Sequence, residues 1–202
     1  MAPRMLALAA MTLLLAGCTT TSIQSIAPDP APIPLPAAVI DVPRQSSAIP
    51  PVEQVAAPVR IQIPSVAIDI TITPVGGEGN GLLQIPENIW VAGWYRYGSS
   101  PSSDTGSTVI SAHVDSFEQG LGPFAYLKEM PADAEIIVTT DDGVVHRYGL
   151  ESVQNIKKKQ LPLDQVFDRD GAPRIVLLTC GGQFDQNVQN YSDNIVAIAN
   201  PL

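Results

Sequence analysis

The chain has 202 residues, a formal net charge of −9 and only 5% aromatic side chains. Its one basic cluster is Lys157, Lys158 and Lys159, which reads as a solvated loop. Nucleic-acid binding needs a basic stripe with stacking aromatics, so that class is excluded.

Residues 1–17 carry Arg4 and then MLALAAMTLLLAG, a short basic start before an apolar core of signal-peptide length. Such a core is too short to span a bilayer comfortably. It ends in LAGC at 15–18, with polar TTTS following. This resembles a bacterial lipoprotein signal, in which the cysteine is lipidated on its sulfur and becomes the new N-terminus. The expectation is a lipid-anchored protein on the extracytoplasmic face of the bacterial cell membrane, with Cys18 consumed as the anchor. Residues 18–58 are a separate regime, with prolines at 28, 30, 32, 34, 36, 43, 50, 51 and 58. Proline at alternate positions excludes a helix and opposes sheet pairing, so the segment reads as an extended stalk.

Residues 59–202 are enough for one domain with a sizeable core. Strand-like runs dominate: VRIQI (59–63), VAIDITIT (66–73), NIWVAGWY (88–95), STVISAH (107–113), EIIVTT (135–140), VVHRYGLESV (144–153), RIVLLT (174–179) and NIVAIA (194–199). Gly, Pro, Asp and Asn separate them, and DDG at 141–143 is a hairpin turn. Eight short strands without a long amphipathic stretch predict an all-β fold, a closed or nearly closed eight-stranded barrel. One or two short helices are expected, FAYLKEM (124–130) after Pro123 and PLDQVF (162–167).

Two of the strand runs end in reactive side chains, His113 and Cys180. If those strands lie side by side, an imidazole and a thiol face the same spot. With Cys18 lipidated, Cys180 is an unpaired thiol in an exported domain, where cysteines are normally paired or absent. An ordinary thiol is only a few per cent thiolate at neutral pH, and a nearby imidazole can take its proton and return it to a leaving amine. Gly181 and Gly182 open the backbone beside the sulfur, where N–H groups can face an oxyanion. Asp115, two residues past His113, either orients the imidazole or belongs to the turn VDS. The alternative for Cys180 is an inert buried side chain at the end of a core strand. No metal site is expected, since His113, Asp115 and the distant His146 lack the tight spacing of zinc ligands. No cofactor is implied.

The ordered set VISAHVDS (109–116), GPFAYLKEM (122–130), VLLTCGGQFD (176–185) and YSDNIVAIA (191–199) resembles a sortase, most similar to the class F group of actinobacteria. The likeness runs through nearly all of 59–202, including GLLQIPENIWVAGWYRYGSSPSSDTGSTV (81–109). It implies a sortase-type β-barrel whose members cut an LPxTG-type sorting signal between Thr and Gly through a thioacyl-enzyme. The peptide then passes to an amine, such as a cell-wall amine, or to water. His113 is implied as acid/base, Cys180 as nucleophile and Thr179 as a residue lining the substrate groove. The implied partner is the sorting-signal peptide of a secreted protein, met by a monomer.

The chain departs from the family pattern at the last strand. An arginine there is thought to hold the oxyanion, whereas residues 191–194 read Tyr, Ser, Asp, Asn, and no arginine follows Arg174. Asn194, or Arg96 or Arg147 from another strand, are the candidates for that contact. Ala112 stands where the group usually has glycine. The alternative to a working enzyme is a sortase-fold envelope protein of weak or lost activity that binds peptide or cell-wall material. An L,D-type transpeptidase matches less well, because TCGGQF is not its serine–glycine–cysteine run ending in arginine.

Overall fold

The computed structural model describes residues 55–79 and 82–202. The expected signal peptide, lipidated Cys18 and almost all of the stalk lie outside the described residues. Ten strands are present: β1 (Pro58–Ile63), β2 (Ile68–Val75), β3 (Val91–Tyr95), β4 (Ser107–Ser111), β5 (Asp115–Ser116), β6 (Gly120–Leu121), β7 (Glu135–Thr140), β8 (Val145–Lys157), β9 (Arg174–Asp185) and β10 (Asn190–Pro201). Eight of them close a barrel in the order β1-β2-β3-β4-β9-β10-β8-β7, and β7 returns to β1. The β2–β3 and β4–β9 pairs are parallel and the other barrel pairs antiparallel. The short strands β5 and β6 form a separate two-stranded ribbon just after His113.

The period-2 pattern of the outer strands explains how the barrel fills. In β1 and β2, Ile61, Ile63, Ile68, Ile70 and Ile72 face inward, while Arg60 and Asp69 pair outside at 2.6 Å. In β7 the same alternation buries Ile136 and Val138. These side chains join Phe124, Leu127, Trp94 and Tyr148 in one core. Strand β4 and the first half of β9 are covered on both faces, so Ile175–Leu178 is an unbroken apolar run and β4 buries even its Ser and Thr residues. Ile110, Ile175 and Leu177 fill the barrel, whereas Val109 and Val176 join a second cluster with Val166, Val196, Leu161 and Phe167. That outer cover comes from the connection containing α1 (Leu163–Val166). Double-sided packing makes β4 and β9 rigid supports for whatever stands at their ends.

The element boundaries correct the sequence reading in several places. The β2 run starts at Ile68, because Pro64–Val66 is a 3-10 turn closed by Ala67 N–H on Pro64 O. Asn88 turns the chain before β3, accepting from Trp90 N–H on Oδ1 and from Val91 N–H on its carbonyl. The 124–130 helix is a 3-10 segment, Pro123–Glu129, with the proline in its first turn as expected. Strand β4 stops two residues short of His113, and Cys180 lies inside β9 rather than at its end. Lys157 closes β8, and Lys158–Gln160 is a 3-10 turn rather than an irregular loop.

Candidate active site

The register of β4 against β9 decides how near His113 and Cys180 come. Ser111 pairs with Leu178, Ala112 N–H donates to Leu178 O at 3.2 Å, and Thr179 Oγ1 donates to Ala112 O at 2.8 Å. Each step keeps the same offset, so the next position sets His113 beside Cys180. Both side chains lie on the outward face of their strand lines, since Ala112 faces the main core and Thr179 is buried on the opposite side from Cys180. Both are half-buried. Thr179 thus lies on the opposite face of β9 from Cys180. Its hydroxyl instead fixes the backbone immediately before His113.

On the other flank, β10 pairs with β9 so that Asn194 stands directly opposite Cys180. Residues opposite one another in a ladder share a face, so Asn194 is the neutral side chain next to the sulfur. Ser192 lies two residues away on the same strand, where the register is interrupted. There Gly182 and Gln183 oppose the single residue Ser192, and Gly182 has φ +75. This is the pattern of a β-bulge with glycine in the left-handed region. Ser192 Oγ accepts from Gln183 N–H at 3.1 Å, so the serine closes the bulge.

The glycine pair has its own packing reasons. A Cβ on Gly181 would meet Ile195 Cδ1 at 2.8 Å, and one on Gly182 would meet Ser192 Oγ at 2.4 Å. Gly181 is also a ladder partner of Asp193. The ladder therefore accounts for both glycines without an oxyanion role.

The two arginines are far from the sulfur. Arg96 follows β3, and the chain of registers puts it level with Ile175, roughly 17 Å along the strand from Cys180. Its guanidinium lies over the Tyr97 ring, 5.1 Å from the centroid. Arg147 is nine residues along β8 from Ile156, the residue beside Asn194, or roughly 30 Å away. It pairs with Glu135 at 2.8 Å and lines a separate depression with His146 and Arg174. Both arginine assignments are corrected on this ground.

Tyr191, Asp115 and Lys158 complete the cluster, and of these the sequence reading proposes a role only for Asp115. Tyr191 donates its hydroxyl to Asp115 Oδ2, joining β10 to the ribbon after His113. That bond is the main reason the Tyr191 hydroxyl is pushed up to about 12, with desolvation and then the charges of Asp115 and Cys180 adding to it. Asp115 is therefore engaged with a phenol, and among the described residues no hydrogen bond joins it to the imidazole. Lys158 Nζ donates to Cys180 Sγ at 3.6 Å and to Asn190 Oδ1, while Lys157 and Lys159 on either side are exposed. The outer two lysines are solvated as expected, though they end a strand and sit in a 3-10 turn, and the middle one is not. A cleft of about 1180 Å³ runs between this lysine turn and the β9–β10 hairpin; Lys158, Asn190 and Tyr191 line it, and Cys180 and His113 do not. Sequence alone carried no signal for Lys158, because its nearness to Cys180 depends on two cross-strand registers.

A thiol with a neighbouring imidazole position and an ammonium on its sulfur is suited to acyl transfer by covalent catalysis. The Sortase domain family model matches residues 61–202. Sortase C1 of GBS pilus island 1 superposes with a TM-score of 0.54 at 19% identity, over 71% of this chain and 64% of that one. Sortase C2 of the same group B Streptococcus island gives 0.53 at 21%, over 71% and 73%. Sortase A from Corynebacterium diphtheriae gives 0.51 at 18%, over 73% and 61%. The chain thus spans just under two thirds of the first of these structures. Comparison with curated proteins finds no match.

Proposed function

The chain belongs to the sortase family, and on that premise we propose that it is a cysteine transpeptidase acting on a peptide sorting signal of the LPxTG type. The observation that carries this reading is the β4–β9 register, which sets the His113 position beside Cys180. In this reading the Cys180 thiolate adds to the Thr carbonyl, and the C–N bond to Gly breaks as His113 protonates the leaving amine. An acceptor amine, or water, then attacks the thioester and gives its proton to His113, and the thiolate leaves. Asn194 stands by as a neutral donor to the substrate or oxyanion.

Finer assignments belong to the same proposal. The motifs VISAHVDS and VLLTCGGQFD support a class F member, while the similar solved structures named above are of types A and C. LAGC at 15–18 and the prolines after it support a lipid-anchored, stalked protein working outside the cell membrane on secreted peptides. The test is incubation of the full mature chain with a panel of LPxTG-like peptides, followed by peptide mapping. A thioacyl mass on Cys180, absent from Cys180→Ala, is expected. No adduct across the panel would favour the alternative, a sortase-fold protein that binds peptide without cleaving it.

A further inference from the structure

Building on the reading of Cys180 as a transpeptidase nucleophile, we propose that Lys158 is the catalytic cation of this site. Its ammonium pairs with the Cys180 thiolate and then turns to the oxyanion formed when that thiolate adds to a peptide carbonyl. The geometry is specific. Lys158 Nζ lies 3.6 Å from Sγ, the one hydrogen bond to that sulfur among the described residues. Strand β8 runs as far as Lys157, opposite Asp193, and the 3-10 turn beginning at Lys158 redirects the next side chain toward the sulfur. The ammonium is anchored there by Asn190 Oδ1, which also accepts Tyr191 N–H at 2.9 Å.

Arg96, Arg147 and Arg174 do not compete for the place. Arg96 and Arg147 lie roughly 17 and 30 Å along the strands. Arg174, at the opposite end of β9, donates to Ser107 Oγ and Gln165 O. Among the described residues the ion pairs are Arg60–Asp69 and Arg147–Glu135, and Lys158 is in neither. The carboxylates of Asp185 and Asp193 line the same cleft without pairing with it.

The chemistry follows from where the charge goes. A cation beside a thiol enlarges its thiolate share. As the C–S bond forms, the carbonyl π pair moves to oxygen, so the negative charge leaves sulfur for an atom two bonds away. An ammonium has three donors, and can keep Asn190 while another follows the charge. Collapse re-forms the carbonyl and expels the amine, which takes its proton from the imidazolium of His113. The acceptor step runs the same sequence in reverse, and the thiolate returns to Lys158.

The experiment is site-mapped alkylation of Cys180 in the full mature chain, as wild type, Lys158→Met and Lys158→Arg. Neutral iodoacetamide and anionic iodoacetate are used at neutral pH, and circular dichroism checks the fold. We expect Lys158→Met to slow iodoacetamide about tenfold and iodoacetate by more, since the reagent loses its attraction to the ammonium. Lys158→Arg should stay within about threefold of wild type, because the charge is kept. Unchanged rates in Lys158→Met, or an equal fall in both variants, would overturn the proposal. No peptide is involved, so failure to form a thioacyl-enzyme and failure of Lys158 are read separately.

Discussion

The Tyr191 hydroxyl donates to the Asp115 carboxylate, and through that bond the last strand of the barrel is tied to the ribbon that follows His113. Because the phenol is pushed up to about 12, it stays protonated well above the range of an ordinary tyrosine. The contribution of the pair to stability is therefore complete below about pH 10 and is lost as pH rises toward about 12. Ultraviolet titration of wild type against Tyr191→Phe should isolate this late phenol. Asp115→Asn should bring its titration back toward the ordinary range. Burial pushes the Tyr148 phenol up to about 12 as well, and its signal should not respond to Asp115→Asn. A Tyr191 signal that ignores Asp115→Asn would deny the link.

Thr179→Val tests the bond before His113. The substitution keeps the shape but leaves the buried Ala112 carbonyl without its side-chain donor. A loss of about 1–3 kcal/mol is expected in urea unfolding. Peptide turnover should fall further than stability explains, because the His113 backbone is no longer fixed. A variant as stable and active as wild type would show that the hydroxyl positions nothing.

Gly182→Ala is expected to cost more than Gly143→Ala. Both glycines have positive φ, +75 and +83. An alanine at 143 meets nothing within 4 Å, so only backbone strain of about 1 kcal/mol applies. At 182 the new methyl also meets Ser192 Oγ and Asp193 Cγ inside 3 Å. Equal unfolding midpoints for the two variants would mean that the bulge gives way freely.

Truncation locates the start of the folded domain. Ala57 exchanges backbone contacts with Asp141, N–H to Oδ1 at 3.1 Å and O from N–H at 2.8 Å, and Pro58 pairs with Thr140. A chain beginning at Val55 should melt within a few degrees of the full mature protein. One beginning at Arg60 should melt several degrees lower, as loss of about 1–2 kcal/mol would require. A large loss already at Val55 would mean that the proline-rich segment packs on the barrel.

Ser192→Arg returns a guanidinium to the last strand. The serine side chain closes the bulge, so the variant should be slightly less stable. With Lys158 in place, its gain in peptide turnover should be small. In a Lys158→Met background it should restore turnover by about tenfold or more, because position 192 shares its face with Asn194. No restoration would mean that an arginine at 192 does not reach the oxyanion.

Much of the barrel was legible because its strands bury alternate residues, as in EIIVTT, or both faces, as in RIVLLT. His113 and Cys180 stood out through scarcity, with two cysteines and two histidines in the chain. Strand ends were less so, since β8, β9 and β10 run on through polar residues whose ladder hydrogen bonds leave no hydropathy signal. Lys158 was hidden for a related reason. A lysine among lysines is distinguished only by the strand it ends and the strand opposite. That Thr179 faces away from Cys180 was not legible, because the family likeness says nothing about pleat direction.

The parallel pairing of β4 with β9 also bears on when the thiol becomes reactive. Its contacts join residues 67 apart, as in the Thr179–Ala112 bond, whereas the β9–β10 hairpin closes within a few residues. Long-range parallel pairing carries a larger loop-closure cost and forms more slowly than a local hairpin. During refolding, Cys180 is thus expected to meet its hairpin before it meets His113. The juxtaposition of the two side chains then arrives with barrel closure, and a half-folded chain carries the thiol without the imidazole beside it. Pulsed alkylation with simultaneous tryptophan fluorescence should show Cys180 gaining its native reactivity in the slowest folding phase.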